Sequence, residues 1–146
     1  MKWIKKFDEK MTDDVMEIWL STNQEAHDFI PYKYWENNYK SMRKALLEEL
    51  IVYVYNANDV VKGFVVITGD THIAGVYVDK AYRNEGIGSK LLQKCKEEHD
   101  RLTLDVYLKN EKATEFYKRH GFKYHRHRVD SGTIEREFVM KWINKS

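Results

Sequence analysis

The sequence predicts an α+β fold, a mixed α/β layer with a central, mostly antiparallel sheet flanked by helices. Three observations predict it. Three β-branched and aromatic runs follow one another between residues 51 and 78, separated only by Asn56-Ala57-Asn58-Asp59 and Gly69-Asp70. A short loop with two glycines, Arg83-Asn84-Glu85-Gly86-Ile87-Gly88, then opens a segment of helical period. A strand, a helix and a hairpin complete the chain, so sheet and helices must share one core.

Residues 1–7 alternate weakly, Trp3 against Lys2 and Ile4 against Lys5, as a short first strand. Thr12 suits a helix cap, and Asp13 and Asp14 suit the positive first turn behind it. Val15, Ile18, Trp19 and Thr22 share one face until the pattern fades near Asn23. Pro31 fits the first turn of a second helix, which carries Trp35, Tyr39, Met42, Leu46 and Leu50 at spacings of three or four. Ile51 to Tyr55, Val60 to Thr68 and Thr71 to Val78 then form an antiparallel meander.

The third helix runs from Ile87 to about Asp100 and shows Leu91, Leu92, Cys95 and His99 on the side of Ile87, so Cys95 reads as core. Leu102 to Leu108 alternates strictly as a strand. Glu111 to His120 is helical, with Gly121 just past its end, where a left-handed residue closes many helices. Phe122 to Val129 and Thr133 to Ile143 close the chain as a hairpin turning at Asp130-Ser131-Gly132. The order is β-α-α-β-β-β-α-β-α-β-β, a single domain over residues 1–146.

Ten tyrosines, four tryptophans and six phenylalanines against one proline speak for a packed core rather than disorder. A net charge of +2 with mixed signs speaks against a nucleic-acid partner, even with Arg126 and Arg128 on one late strand. One cysteine excludes an internal disulfide and fits a reducing compartment. No apolar run is long enough to span a membrane, and Met1-Lys2-Trp3 does not begin a signal peptide, so a cytoplasmic protein is expected. His125 and His127, spaced by two, share a strand face as a solvated basic surface. With no carboxylate converging on them, no metal is expected.

Strand, glycine loop and helix start together make an anion-binding geometry. The first N–H groups of a helix lack partners and carry the positive end of its dipole. Gly86 and Gly88 lack a Cβ, so a pyrophosphate can approach the backbone, and Arg83 adds a full charge. A P-loop requires glycine before Lys-Ser/Thr at a fixed distance, which Gly88-Ser89-Lys90 does not supply. A dinucleotide fingerprint requires a third glycine where Leu91 stands.

A second motif follows the strand 102–108. In Asn110-Glu111-Lys112-Ala113-Thr114-Glu115-Phe116-Tyr117-Lys118-Arg119-His120-Gly121-Phe122, a helix aligns Asn110, Ala113 and Tyr117 on one face. The small Ala113 would let a ligand lie against that helix, with the Tyr117 hydroxyl presented to it. An ordinary turn at the first motif and an amphipathic core helix at the second are the structural alternatives.

Together, R-x-x-G-x-G at 83–88 and N-x-x-A-x-x-F-Y-x-x-x-G-F at 110–122 resemble the signature of the GNAT N-acetyltransferases. The resemblance extends to the element order over essentially the whole chain. It implies direct transfer of the acetyl group of acetyl-CoA to a primary amine, on a small molecule, a protein lysine or an N-terminus. The backbone of Val76, Tyr77 and Val78 would pair with the pantetheine arm like an added strand. Arg83, Asn84, Glu85, Gly86, Ile87, Gly88 and Ser89 would hold the pyrophosphate. Asn110 and Ala113 would meet the pantetheine, and Tyr117 would stand near the thioester sulfur as general acid.

Many relatives place a glutamate base early on the strand before the glycine loop, where this chain has His72. By strand parity His72 shares a face with Val76 and Val78 and is a competent base, a water chain being the alternative. In GNAT-like proteins the segment between the first two helices borders the acceptor site. Here that segment carries His27, Phe29 and Trp35, which line the acceptor or plug the two helices together. A monomer or a homodimer fits these expectations. A non-catalytic acyl-CoA-binding module is the alternative function, and retention of Asn110 and Tyr117 argues against it.

Overall fold

The computed structural model describes residues 2–145; the first residue of the expected opening strand lies outside them. In chain order the elements are β1 (Ile4–Lys6), α1 (Thr12–Ala26), α2 (Tyr32–Asn37), α3 (Tyr39–Glu48), β2 (Ile51–Ala57), β3 (Val60–Thr68), β4 (His72–Val78), α4 (Ile87–Glu98), β5 (Arg101–Tyr107), α5 (Glu111–Arg119), β6 (Lys123–Val129) and β7 (Arg136–Ile143). They build a seven-stranded sheet in the order β1-β2-β3-β4-β5-β7-β6. Neighbouring strands are antiparallel except β4 and β5.

Alternation along the strands divides the core in two. Tyr53, Val65, Ile67, Leu102, Leu104 and Met140 face α4 and α5, meeting Leu91, Leu92, Cys95, Tyr117 and Phe122. Val52, Val54, Phe64, Val66 and Tyr107 face α1, α2 and α3, meeting Val15, Met16, Trp19, Trp35 and Leu46. Cys95 is fully buried, and burial pushes its thiol up to about 12. As expected, it is a core residue.

Four local expectations are corrected. The single helix expected over 31–50 is two, broken at Asn38, whose side-chain Nδ2 donates to the Tyr34 carbonyl at 2.6 Å and competes with the helical ladder. Thr12 lies inside α1 instead of capping it. Its hydroxyl donates to the Glu9 carbonyl, because a 3₁₀ turn at Glu9–Met11, capped by Asp8, precedes the helix. In β6, His125 is the extra residue of a bulge between Tyr124 and Arg126, so simple alternation does not put it on the face of His127.

The fourth correction concerns β4. Val66 pairs with Gly75 but Ile67 pairs with Ile73, leaving Ala74 as an extra residue. The bulge inverts the parity. Ile73, Val76 and Val78 all pack toward α4, and His72 stands on the opposite face, not with Val76 and Val78. A one-residue insertion moves every later side chain to the other side of the sheet.

Candidate active site

β4 and β5 are paired only at their start, His72 with Thr103 and Ile73 with Leu104. Beyond the bulge they part. Residues 76–78 therefore hydrogen-bond to β3 on one edge and, among the described residues, have no strand on the other. An open strand edge of this kind accepts an extended ligand through main-chain hydrogen bonds.

At the wide end of this fork stands the glycine loop. Asn84 (φ 67) and Gly86 (φ 76) are both left-handed, and Gly86 is the N-cap of α4. This conformation turns the N–H groups of Ile87, Gly88 and Ser89 outward as the unpaired first turn of the helix. A Cβ at Gly86 would meet nothing within 4 Å, so the glycine serves the turn and leaves open space in front of it. A Cβ at Gly88 would sit 3.4 Å from the ring of Phe116, so α4 and α5 approach closely there. The backbone of 84–89 thus fits a pyrophosphate. Two side chains are engaged elsewhere: Ser89 Oγ lies 3.0 Å from His120 Nε2, and Arg83 is paired with Glu25 at the end of α1.

α5 is fastened at its N-terminus by Asn110, whose Oδ1 accepts from the Ala113 N–H at 3.2 Å. Its buried face carries Tyr117, 7% exposed, and the Val76 backbone hydrogen-bonds to the Tyr117 hydroxyl. Burial raises the pKa of that phenol, as do Tyr77 and Cys95 beside it, so at neutral pH it is a proton donor. Tyr77 lies on the other face of β4, stacked on Phe64, and burial pushes its phenol up to about 12.

The segment after α1 reaches both motifs. Glu25 holds Arg83, and His27 Nε2 lies 3.1 Å from Asn110 Nδ2. Because Asn110 Oδ1 is committed to the Ala113 N–H, its amide donates to His27 Nε2, and the imidazole proton resides on Nδ1. Burial brings the His27 pKa down to about 4, partly offset by Asp28, so the ring is neutral. It stacks on Trp35 at 5.5 Å and meets Tyr107 and Phe29 edge-on. His27 Nδ1 and Trp35 Nε1 are buried without a partner.

Around His72 lies a polar set on one face of β5, β6 and β7 that sequence reasoning missed. His72 Nδ1 is 2.8 Å from Thr103 Oγ1, and its Nε2 is 3.3 Å from Asp105 Oδ2. Arg128 donates to Asp105 at 2.9 Å and lies 3.4 Å from Glu137. Tyr107, the cross-strand partner of Glu137, donates to Asp130 at 3.0 Å. Burial opposes ionisation of Asp105, yet the hydrogen bond and charge of His72, with Arg128 and Arg126, hold its carboxyl below the usual range. Glu137 goes the other way. Burial, then Asp105 and Asp130, push it up to about 7. The signal in the sequence was the alternation itself, which puts Thr103, Asp105 and Tyr107 on one face and a glutamate inside the last strand.

Among the described residues no group of three His, Cys, Asp or Glu side chains could hold a metal ion, and no helix is long and apolar enough to cross a membrane.

Comparison with known proteins agrees with this geometry. The family model described as an acetyltransferase (GNAT) domain matches residues 48–124, from the end of α3 to the start of β6. The peptidyl-lysine N-acetyltransferase YiaC of Escherichia coli is 31% identical over 129 residues, covering 88% of this chain and 86% of that protein. The peptidyl-lysine N-acetyltransferase YjaB of E. coli is 29% identical over 111 residues, covering 76% and 75%. The solution structure of apo YjaB superposes with a TM-score of 0.83 at 25% identity over 97% of each chain. The PaiA N-acetyltransferase of Thermoplasma acidophilum, solved in complex with coenzyme A, superposes with a TM-score of 0.78 at 16% identity over 96% of this chain and 97% of its own. The chain therefore belongs to the GNAT family, as an acetyl-CoA-dependent N-acetyltransferase that acetylates an amine.

Proposed function

We propose that the acceptor is the side-chain amine of a peptidyl lysine. The observation that carries this is the lysine activity in the names of YiaC and YjaB, which match 88% and 76% of the chain. The chain's own Lys109 supports it: the ammonium rests 5.4 Å from the centre of the Phe29 ring and 3.1 Å from Glu135, so a lysine cation is accommodated beside the acceptor segment.

Acetyl-CoA supplies the thioester carbonyl that the amine attacks. The N–H groups of 84–89 hold its pyrophosphate, with Arg83 exchanging Glu25 for it, and the free edge of Val76, Tyr77 and Val78 aligns the pantetheine. Asn110 and Ala113 flank that arm. Tyr117, beside Val76, gives its proton to the departing sulfur. His72 stands at the closed end of the fork and takes a proton from the attacking nitrogen through the Thr103 hydroxyl that reaches its Nδ1, while its Nε2 faces Asp105. His27 and Phe29 line the acceptor side, and Trp35 backs them from the core.

Both motifs and the acceptor wall lie in one domain, residues 1–146, so a monomer or either half of a homodimer carries a whole site. The single cysteine and near-neutral charge support a reducing, cytoplasmic setting without nucleic acid as partner.

A panel of lysine peptides, free polyamines and peptide N-termini, assayed with acetyl-CoA for released thiol, tests the acceptor. Lysine peptides are expected to turn over best, and turnover of polyamines alone would refute the proposal. On this reading His27→Ala raises the KM for the peptide several-fold with acetyl-CoA affinity nearly unchanged, as titrations of each ligand will read. Trp35→Ala, at a 7% exposed core position, is instead expected to cost roughly 3–5 kcal/mol of stability in thermal unfolding.

A further inference from the structure

We propose that Glu137 is a second proton acceptor of the reaction, the one that turns the incoming lysine ammonium into the free amine. This rests on the lysine reading above.

Protein and solvent together remove two protons from the acceptor nitrogen. The ammonium must lose one before its lone pair can attack. As the C–N bond forms and the C–S bond breaks, the nitrogen loses the second and becomes an amide. One proton ends on the sulfur of coenzyme A and one in solvent. Free lysine has a pKa near 10.4, so only about one molecule in a few thousand is neutral at pH 7. Leaving the first step to chance would cost most of the rate. His72, at the closed end of the fork, suits the second removal; the first belongs where the ammonium arrives.

Glu137 stands there. Its cross-strand partner Tyr107 touches His27 at 4.9 Å and Phe29 at 5.6 Å, the two residues on the acceptor side. It is 8% exposed, and Arg128, its ion-pair partner at 3.4 Å, lies closer to Asp105. The groups facing Glu137 are Asp105 and Tyr107 from β5, Arg128 from β6, Asp130 from the following turn, His72 from β4 and Tyr34 from α2. Asp105 and Glu137 thus share one arginine, Arg128, and the charge of Asp130 adds to the negative side of the set. A buried carboxylate in that position takes up either a proton or an ammonium. Asp105 and Glu137 are also driven apart, the first held ionised by His72 and Arg128, the second poised near 7. Two carboxyls separated in this way divide the work: Asp105 attracts the cation and Glu137 takes its proton.

The test compares Glu137→Gln with wild type on two peptides. One carries lysine; the other carries an aminooxy side chain of similar length, whose terminal nitrogen is already neutral at pH 7. The expected result is a loss of kcat/KM on the order of 10² or more with lysine. With the aminooxy peptide and in acetyl-CoA binding, little change is expected. An equal loss on both peptides would make Glu137 merely structural, and no loss on either would remove it from the reaction. Should the variant fail to fold, the wild-type pH profile decides. A kcat/KM that rises through about pH 7 and levels with the lysine peptide but not with the aminooxy peptide supports Glu137, whereas the same rise on both peptides, or a climb toward the lysine pKa, overturns it. A wild type that turns over no lysine peptide overturns the lysine reading instead; protonated and neutral forms of the amine it does use then test Glu137.

Discussion

Tyr117→Phe is expected to lower kcat by roughly 10²–10⁴, the usual worth of a general acid, with the affinity for acetyl-CoA nearly intact. The substitution preserves the ring, which packs between Phe116 and Phe122, and removes only the hydroxyl. That hydroxyl is buried at the fork beside the Val76 backbone, in surroundings that keep it protonated. Loss of its hydrogen bond should cost about 0.5–1.5 kcal/mol of stability, far too little to explain a collapse in rate. A tyrosine that only fills the core would leave the rate almost unchanged. A tyrosine that only binds would raise KM with kcat preserved. Rate measurements on the matched pair at saturating acetyl-CoA separate these outcomes, and an undiminished kcat would assign the proton to water.

Gly86→Asp is expected to abolish the rise in melting temperature that acetyl-CoA produces. At a ligand concentration 100 times Kd, binding stabilises the folded state by about 2.7 kcal/mol. For a chain of this size that corresponds to roughly 5–11 °C. The aspartate places an anion in the open space before the first turn of α4, where it both fills and repels the pyrophosphate position. Aspartate tolerates a φ of +76° better than most residues, so the variant should still fold, and its own melting point serves as the baseline. An undiminished shift would move the phosphate site away from this loop.

The sequence by itself determined the order of the strands and of most helices, and the local geometry of the glycine loop and of α5. These are local properties. Gly121 reads as the left-handed residue that closes α5 from its place just past the helical run, and Asn110, Ala113 and Tyr117 align because the helical period is fixed. The meander was legible for the same reason. Asn58 and Asp59, both at positive φ, close its first hairpin between strands of clear alternation.

Tertiary structure decided what depended on a single inserted residue or on chain segments far apart. Nothing in the run from His72 to Val78 announces that Ala74 is extra, because a bulge is set by pairing with β3. That bulge put His72 on the face opposite Val76 and Val78. His27 and Asn110 are 83 residues apart, Glu25 and Arg83 are 58, and only folding shows that one short segment after α1 holds both motifs. Glu137 is the sharpest case. Alone it is one more charge in a strand of mixed polarity. Packed across from Tyr107, sharing Arg128 with Asp105 and with Asp130 near, it becomes a carboxyl that ionises near neutrality. Ionisation depends on what surrounds a group, and those surroundings came from four different elements of the fold.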